Sequence, residues 1–305
     1  MSEPILVTHK LGKQYGARWA VRNLDLEIRR GDVFGFLGPN GAGKTTTIRM
    51  VLSLIRPTEG EVRLFGHPLR TERAAALRRV GGIVEKPDFY LYLSAIRNLE
   101  VVGALSGGVS RRRIEEVLDL VGLLARAKDT VKTYSHGMKQ RLGIAQALLT
   151  DPELVVLDEP TNGLDPQGMK EVRELIRSLA HDRQKTIILS SHLLHEVELV
   201  ANRMAIINLG ELAVQGTVDE LLQRGEAAVL LRATPLRGVL ALCRRIKSVK
   251  RITQEGKDLR LEMPTKDVPQ LVAALVRARV RIETVRPVRS LEALFLSITE
   301  QSQAR

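Results

Sequence analysis

Long uncharged runs are missing from this sequence. No stretch of eighteen residues is free of charge, which excludes a membrane-spanning helix. Cysteine is almost missing too: Cys243 stands alone, so no intrachain disulfide can form, and a reducing compartment is the natural setting. A lone thiol of this kind is expected to be buried and structural. The first residues, Met1 to Leu11, hold no long apolar segment after a basic start, and no secretory signal is expected there. Aromatic residues make up only 3% of the chain, so the position of each one carries weight.

What is present has ordinary globular proportions, 44% hydrophobic and 27% charged. A length of 305 residues allows a large core and two domains. The net charge of +12 is unevenly spread: residues 221–305 hold seventeen Lys and Arg against eight Asp and Glu. Such a basic region suits nucleic acid, an anionic membrane surface or simply a well-solvated exterior. The charges are scattered with few aromatics among them, which favours the solvated exterior.

The most informative stretch is Gly38-Pro39-Asn40-Gly41-Ala42-Gly43-Lys44-Thr45-Thr46, which reads G-x-x-x-x-G-K-T. Val33–Leu37 before it reads as a buried strand, and Thr46–Leu54 after it as an apolar-faced helix. Strand, glycine-rich turn and helix together make a phosphate cradle. Glycines let the backbone turn tightly and aim its N–H groups at phosphate oxygens, and the helix start adds unpaired N–H groups. Lys44 is expected to reach the β- and γ-phosphates, and the Thr45 hydroxyl to bind Mg²⁺.

Strands are expected at Ile5–His9 and at Leu24–Ile28, which alternates strictly. Tyr15-Gly16 between them marks a turn, where the Tyr15 ring either stacks on a base or is a half-buried turn aromatic. Further strands are expected at Glu61–Phe65 and just before Glu85, and Lys86-Pro87-Asp88 breaks the pattern. From Ser94 to about Leu149 apolar residues recur at helical spacing, a helical insert in an otherwise alternating strand–helix chain. Leu154–Leu157 is an unbroken apolar run that suits a central parallel strand, and it ends in Asp158-Glu159. Asp158 is placed to hold Mg²⁺, and Glu159 to polarise an attacking water. His192 ends the next strand, near the same edge by the rule that ligands sit at the carboxyl ends of parallel strands. The tail beyond residue 220 reads strand–helix–strand–strand–helix–strand with a last helix at Leu291–Ile298, a small ferredoxin-like domain.

Tyr134-Ser135-His136-Gly137-Met138-Lys139-Gln140-Arg141 discriminates best. Taken alone, Ser135 is a helix N-cap. Taken with the rest, the stretch resembles the signature of ATP-binding cassette (ABC) ATPases, and the resemblance covers residues 1–220. Tyr15 matches the adenine-stacking aromatic of that family, Gly38–Thr46 its phosphate loop, and Leu154–Glu159 its Walker B strand. Asn162-Gly163-Leu164-Asp165 matches its D-loop and His192 its switch histidine. Two positions depart from the usual pattern: Glu85 stands where Gln is usual, and His136 where the first signature Gly is usual. Similar variants, and the ending Ser290–Leu296, resemble ATPase subunits of bacterial ABC-2-type exporters.

The resemblance implies an α/β, P-loop NTPase (RecA-like) core with an antiparallel β subdomain and a helical insert at about 87–149, in residues 1–220. A small α+β accessory domain would fill residues 221–305. It implies an ATPase powering transport through a separate membrane permease, at the cytoplasmic face of the cell membrane, with ATP and Mg²⁺ as ligands. Glu159, His192 and Lys44 would be catalytic, and Thr45, Glu85 and Asp158 would face the metal. Two chains, alike or homologous, would sandwich the nucleotide between the phosphate loop of one and Ser135, Gly137 and Asp165 of the other. The chain has one motif set and therefore needs such a partner. The alternative is an ABC ATPase acting on nucleic acid or ribosomes through the basic tail. That class usually carries two cassettes or a long coiled coil, so no nucleic-acid partner is expected. An importer ATPase is a further rival. A regulatory module without turnover is disfavoured by Asp158, Glu159 and His192.

Overall fold

A computed structural model describes residues 3–85, 87–224, 227–289 and 291–300. Lys86, expected in a pattern break, and Ser290, which opens the exporter-like ending, lie outside the described residues. The chain divides into two units, Met1–Val218 and Asp219–Arg305.

The first unit begins with β1 (Pro4–Tyr15), β2 (Arg18–Leu24) and β3 (Glu27–Arg29), then β4 (Val33–Leu37) and α1 (Lys44–Val51). β5 (Glu59–Leu64), β6 (His67–Pro68), α2 (Arg73–Leu77) and β7 (Val80–Ile83) follow. Strands β1, β2, β3, β5 and β6 make an antiparallel sheet in which β1 is central. The alternating run Leu24–Ile28 is not one strand, because β2 ends at Leu24 and β3 starts at Glu27. The Thr8 hydroxyl is the reason: it donates to the Leu24 carbonyl and accepts from the Leu26 N–H, both at 2.8 Å. A side chain there replaces the ladder partner that a continuous strand would need.

Helices α3 (Ala95–Leu105), α4 (Arg111–Leu120) and α5 (His136–Leu148) lie in the crossover from β7 to β8 (Leu154–Leu157), its parallel neighbour. Each of these helices starts at a serine, Ser94, Ser110 or Ser135, whose hydroxyl accepts an N–H of the first turn. α6 (Pro166–His181), β9 (Thr186–Ser191), α7 (Leu194–Val200), β10 (Arg203–Asn208) and β11 (Glu211–Thr217) complete the unit. The second sheet runs β11-β10-β4-β9-β8-β7, parallel except for the β10–β11 hairpin. β4, β8 and β9 are buried along their whole length, as strands covered on both faces must be. The register sets Leu37 beside Ser191, and Leu157 beside both Leu189 and Ile83. The loops that leave these strand ends therefore emerge along one edge.

α8 (Val218–Arg224) leads into the second unit: β12 (Ala227–Thr234), α9 (Leu236–Cys243), β13 (Arg251–Glu255), β14 (Asp258–Glu262), α10 (Val268–Arg277), β15 (Arg281–Arg289) and α11 (Leu291–Glu300). Its antiparallel sheet runs β13-β14-β12-β15, the strand order of a ferredoxin-like fold. Val229, Leu231, Leu259 and Leu261 pack with Val239, Cys243, Leu271 and Leu275 of α9 and α10. Cys243 is fully buried, and burial pushes its thiol pKa up to about 11, which keeps it unreactive.

Candidate functional site

The phosphate-loop glycines are fixed by close approach. A Cβ on Gly38 would stand 2.4 Å from the Ile207 carbonyl oxygen, and one on Gly43 2.5 Å from that of Ala20. Gly43 also has φ +105°, a left-handed value that favours glycine, and it is the N-cap of α1. Ala42 is buried, its N–H donating to the Pro39 carbonyl and its own carbonyl accepting from Gly210. α1 starts with no side-chain cap and no acidic residue in its first turn, so its leading N–H groups remain available to an external acceptor. Lys44 is only 5% exposed, and its Nζ donates to the carbonyls of Gly38 at 2.7 Å and Pro39 at 3.2 Å. Burial lowers its pKa, while Glu159 and, less strongly, Asp158 pull it back up.

A cleft of about 360 Å³ is lined by Tyr15, Asn40, Gly41, Gly43, Lys44, Thr45, Thr46 and Glu159, together with Arg18 and Ala20. Tyr15 is half exposed at its rim, at the β1–β2 turn, with the Lys13 ammonium 5.3 Å from the ring centre. A second cavity, about 300 Å³, is lined by Thr45, Glu85, Asp158 and Glu159 together with His136, Gln140 and Asn162. Thr45 and Glu159 belong to both.

Asp158 is buried and accepts a hydrogen bond from Ser190 Oγ at 2.5 Å. The same Oγ accepts from the Glu159 N–H at 2.8 Å. Glu159 has φ +48°, a left-handed conformation that costs a non-glycine residue about 1–3 kcal/mol. The Ser190 contact and a turn from the Asn162 N–H to the Glu159 carbonyl hold it there. Its carboxylate accepts from Asn162 Nδ2 at 3.0 Å and stands 3.5 Å from Lys44 Nζ. His192 Nδ1 lies 3.2 Å from Glu159 Oε2, at an angle that makes no hydrogen bond. Glu85, also at a positive φ of 63°, is paired with the Arg49 guanidinium, so the charge it adds where Gln is usual has a counter-charge.

Ser135, Gly137 and Asp165 line neither cavity. Ser135 and Asp165 are exposed and cap helices, Ser135 accepting from the Met138 N–H at 3.2 Å and Asp165 from the Gly168 N–H at 3.1 Å. A Cβ on Gly137 would meet nothing nearer than 3.9 Å, so packing within the chain does not require glycine there.

Sequence reasoning missed Ser190, Arg49, Arg18 and the side-chain role of Asn162. Ser190 and Arg49 act on residues from another strand or loop, Asn162 acts on Glu159 three residues earlier in its own loop, and Arg18 lines the cleft. Only the β8–β9 register, which carries Ser190 to Asp158, reveals the pairing.

The cradle fits a polyphosphate: an uncapped helix start, a buried ammonium and two glycines with no room for a side chain. Thr45, Asp158 and Glu85 offer oxygen donors on one cavity wall, the donor set that hard divalent ions take. A P-loop ATPase with a helical insert is thus the class that the fold and site define. The sequence profile of the family described as "ABC transporter" matches residues 21–162. A second profile, "AAA domain, putative AbiEii toxin, Type IV TA system", matches residues 129–198. The ABC transporter ATP-binding protein YhcH of Bacillus subtilis (strain 168) is 39% identical over 98% of this chain and 97% of its own length. The bacitracin transport ATP-binding protein BcrA of Bacillus licheniformis is 49% identical over 72% of each chain. Among solved structures, the dimeric MJ0796, a bacterial ABC transporter cassette, superposes with a TM-score of 0.63 at 25% identity, covering 70% of this chain and 98% of that one. This chain belongs to the ABC transporter family, as one of its ATP-binding, ATP-hydrolysing subunits. Among the described residues no helix is long and apolar enough to cross a membrane.

Proposed function

We propose that this chain powers an ABC-2-type exporter, hydrolysing ATP at a site completed by a second ATPase chain, a copy or a homologue. One observation carries the reading: the Glu159 carboxylate stands on the wall common to both cavities, held by Asn162 and facing Lys44 and His192. There it acts as the general base toward the water that attacks the γ-phosphate, and His192 stands beside it to steady the attacking group. Lys44 and the start of α1 bind the β- and γ-phosphates, while Gly38, Pro39, Asn40, Gly41, Ala42, Gly43 and Thr46 shape the cradle and Tyr15 stacks on the base. Thr45 and Asp158 hold Mg²⁺, with Glu85 at its edge. When bound, the ion neutralises charge on the phosphate oxygens.

The position of the signature supports a two-chain site. Ser135 and Gly137 flank the start of a thirteen-residue helix, and neither of them lines a cavity of its own chain, although His136 between them lines the second. Offered to a partner's nucleotide, that start supplies a hydroxyl and backbone N–H groups to the γ-phosphate, and Asp165 of the D-loop lies at the same contact. Likeness to a dimeric cassette agrees with this arrangement.

An apolar patch supports permease docking at the cytoplasmic face of the membrane. Tyr90, Leu91 and Tyr92 are 53%, 46% and 74% exposed at the entry to the helical insert. Buried Asn98 staples that loop, accepting from the Tyr90 N–H and donating to the carbonyls of Tyr90 and Ser94. A rigidly held patch of this kind is what a membrane partner can push against. Residues 221–305 form an accessory domain in this reading. Similarity to a bacitracin transport subunit favours the exporter type. The relatives named above are transporter ATP-binding proteins, which favours transport over action on nucleic acid.

The test is Glu159→Gln. We expect the variant to bind ATP, to lose at least about a hundredfold in turnover, and to form an ATP-dependent dimer seen by size-exclusion chromatography with light scattering. Wild-type hydrolysis by the variant would remove Glu159 from its role, and a strictly monomeric ATP complex would remove the two-chain site.

A further inference from the structure

We propose that His136 is a positioning residue for hydrolysis, aligning Glu159 of its own chain through the D-loop. The inference rests on Glu159 being the general base. His136 occupies a signature position where glycine is usual, and its ring leans on the D-loop. Nε2 lies 3.4 Å from the Asn162 carbonyl oxygen, and a Cβ on Gly163 would stand 3.3 Å from the same nitrogen. A carbonyl only accepts, so the contact puts a proton on Nε2. Asn162 carries the contact onward, because its Nδ2 donates to Glu159 Oε2 at 3.0 Å and its N–H to the Glu159 carbonyl at 3.1 Å. His136, Asn162 and Glu159 also line one cavity.

The arrangement has a physical purpose. Glu159 sits in a strained left-handed conformation, and its carboxylate has two other neighbours, Lys44 3.5 Å from Oε1 and His192 3.2 Å from the same Oε2 that Asn162 holds, without a hydrogen bond. The Asn162 amide selects one orientation among these. Asn162 and Gly163 are exposed, and Gly163 is at φ +73°, so the D-loop has little packing of its own to hold Asn162 still. His136, the first residue of α5, supplies that hold from a rigid element. A glycine there cannot reach the loop.

The experiment is a double-mutant cycle on the full chain with His136→Ala, Asn162→Ala and the pair, reading kcat and KM for ATP. We expect each single change to lower kcat about tenfold, as misorientation of a catalytic group does, with KM within about twofold. The double variant is expected to be no slower than the worse single, because both act through one carboxylate. His136→Gln, whose amide can donate to the same carbonyl, is expected to recover most of the loss. Wild-type kcat in His136→Ala would overturn the proposal. So would losses that multiply in the double variant, or a raised KM with kcat intact, which would place His136 on a partner's nucleotide instead. Dimerisation of Glu159→Gln, measured in parallel, reports separately on the two-chain site.

Discussion

The two units of this chain treat polar groups in opposite ways. In the first, Lys44, Asp158, Gln140, Ser190, Ser191 and Glu196 are buried. In the second, the buried positions among the described residues are apolar or cysteine, although this unit carries most of the net positive charge. Left-handed non-glycine residues do not follow this division: Glu85 and Glu159 stand in the site, but Lys10, Asn23 and Leu209 of the first unit stand outside it, and Arg279 belongs to the second. Buried charge opposes folding unless it is paired: in the first unit Asp32 and Glu196 are paired with Arg203 and Arg173, whereas Lys44 and Asp158 are buried in the site itself. The second unit is a plain two-layer sandwich of sheet and helices, and among its described residues no arginine is buried, Arg232 pairing with Asp258 at the surface. Charge total is therefore a poor guide to function here, and charge burial a good one.

The sharpest way to break this comparison is Lys44→Met. ATP affinity is expected to fall by about a hundredfold or more, since a charge-assisted contact to phosphate is lost, as measured by fluorescent-nucleotide titration. Without nucleotide, the same variant should melt slightly higher than wild type. The sign follows from the lowered pKa: the charged ammonium opposes folding at neutral pH, and that penalty fades as pH rises through the folded value toward 10.5. The stability gain of the variant should therefore shrink at alkaline pH. A variant that binds ATP normally would show that the buried charge has no nucleotide role.

Leu231→Ala tests the other side. Leu231 is fully buried in the second core, and its truncation should cost about 2–5 kcal/mol of that unit's stability. Calorimetry should show one transition moving down while ATP affinity of the full chain is unchanged. A loss of nucleotide binding would mean that the second unit is not energetically separate from the site.

The smallest effect is expected at Glu153, which accepts from Arg79 at 2.9 Å and pairs with Arg30, at the foot of β8 and away from both cavities. Arg30 first, and then Arg79, holds its pKa below the ordinary 4.5. This carboxylate therefore contributes stability that is present above about pH 4.5 and lost as pH falls through the lowered value. Because the group is 35% exposed, Glu153→Gln should cost only about 0.5 kcal/mol at pH 7. The difference from wild type should vanish in strongly acidic solution, in urea titrations at matched ionic strength.

Legibility differed by element. Gly38–Thr46 was readable because a phosphate cradle is built from one contiguous run of backbone. The strand ending in Asp158-Glu159 was readable because burial on both faces demands an unbroken apolar run. The alternating residues Leu24–Ile28 misled, because the Thr8 hydroxyl interrupts the strand from sixteen residues away. The helical insert was evident in outline, whereas its capping serines decide where each helix begins.

The sequence by itself therefore determined the family, the order of motifs and the identity of the chemical groups, since each motif is a local run whose backbone and side chains act together. Tertiary structure decided what those groups meet. It brought Ser190 to Asp158 through strand register, Arg49 of α1 to Glu85 in the segment after β7, and His136 to Asn162 by setting one helix start on a distant loop. It also left Ser135 and Gly137 outside their own chain's nucleotide cleft. Such pairings depend on how separate elements pack, and no local pattern encodes that.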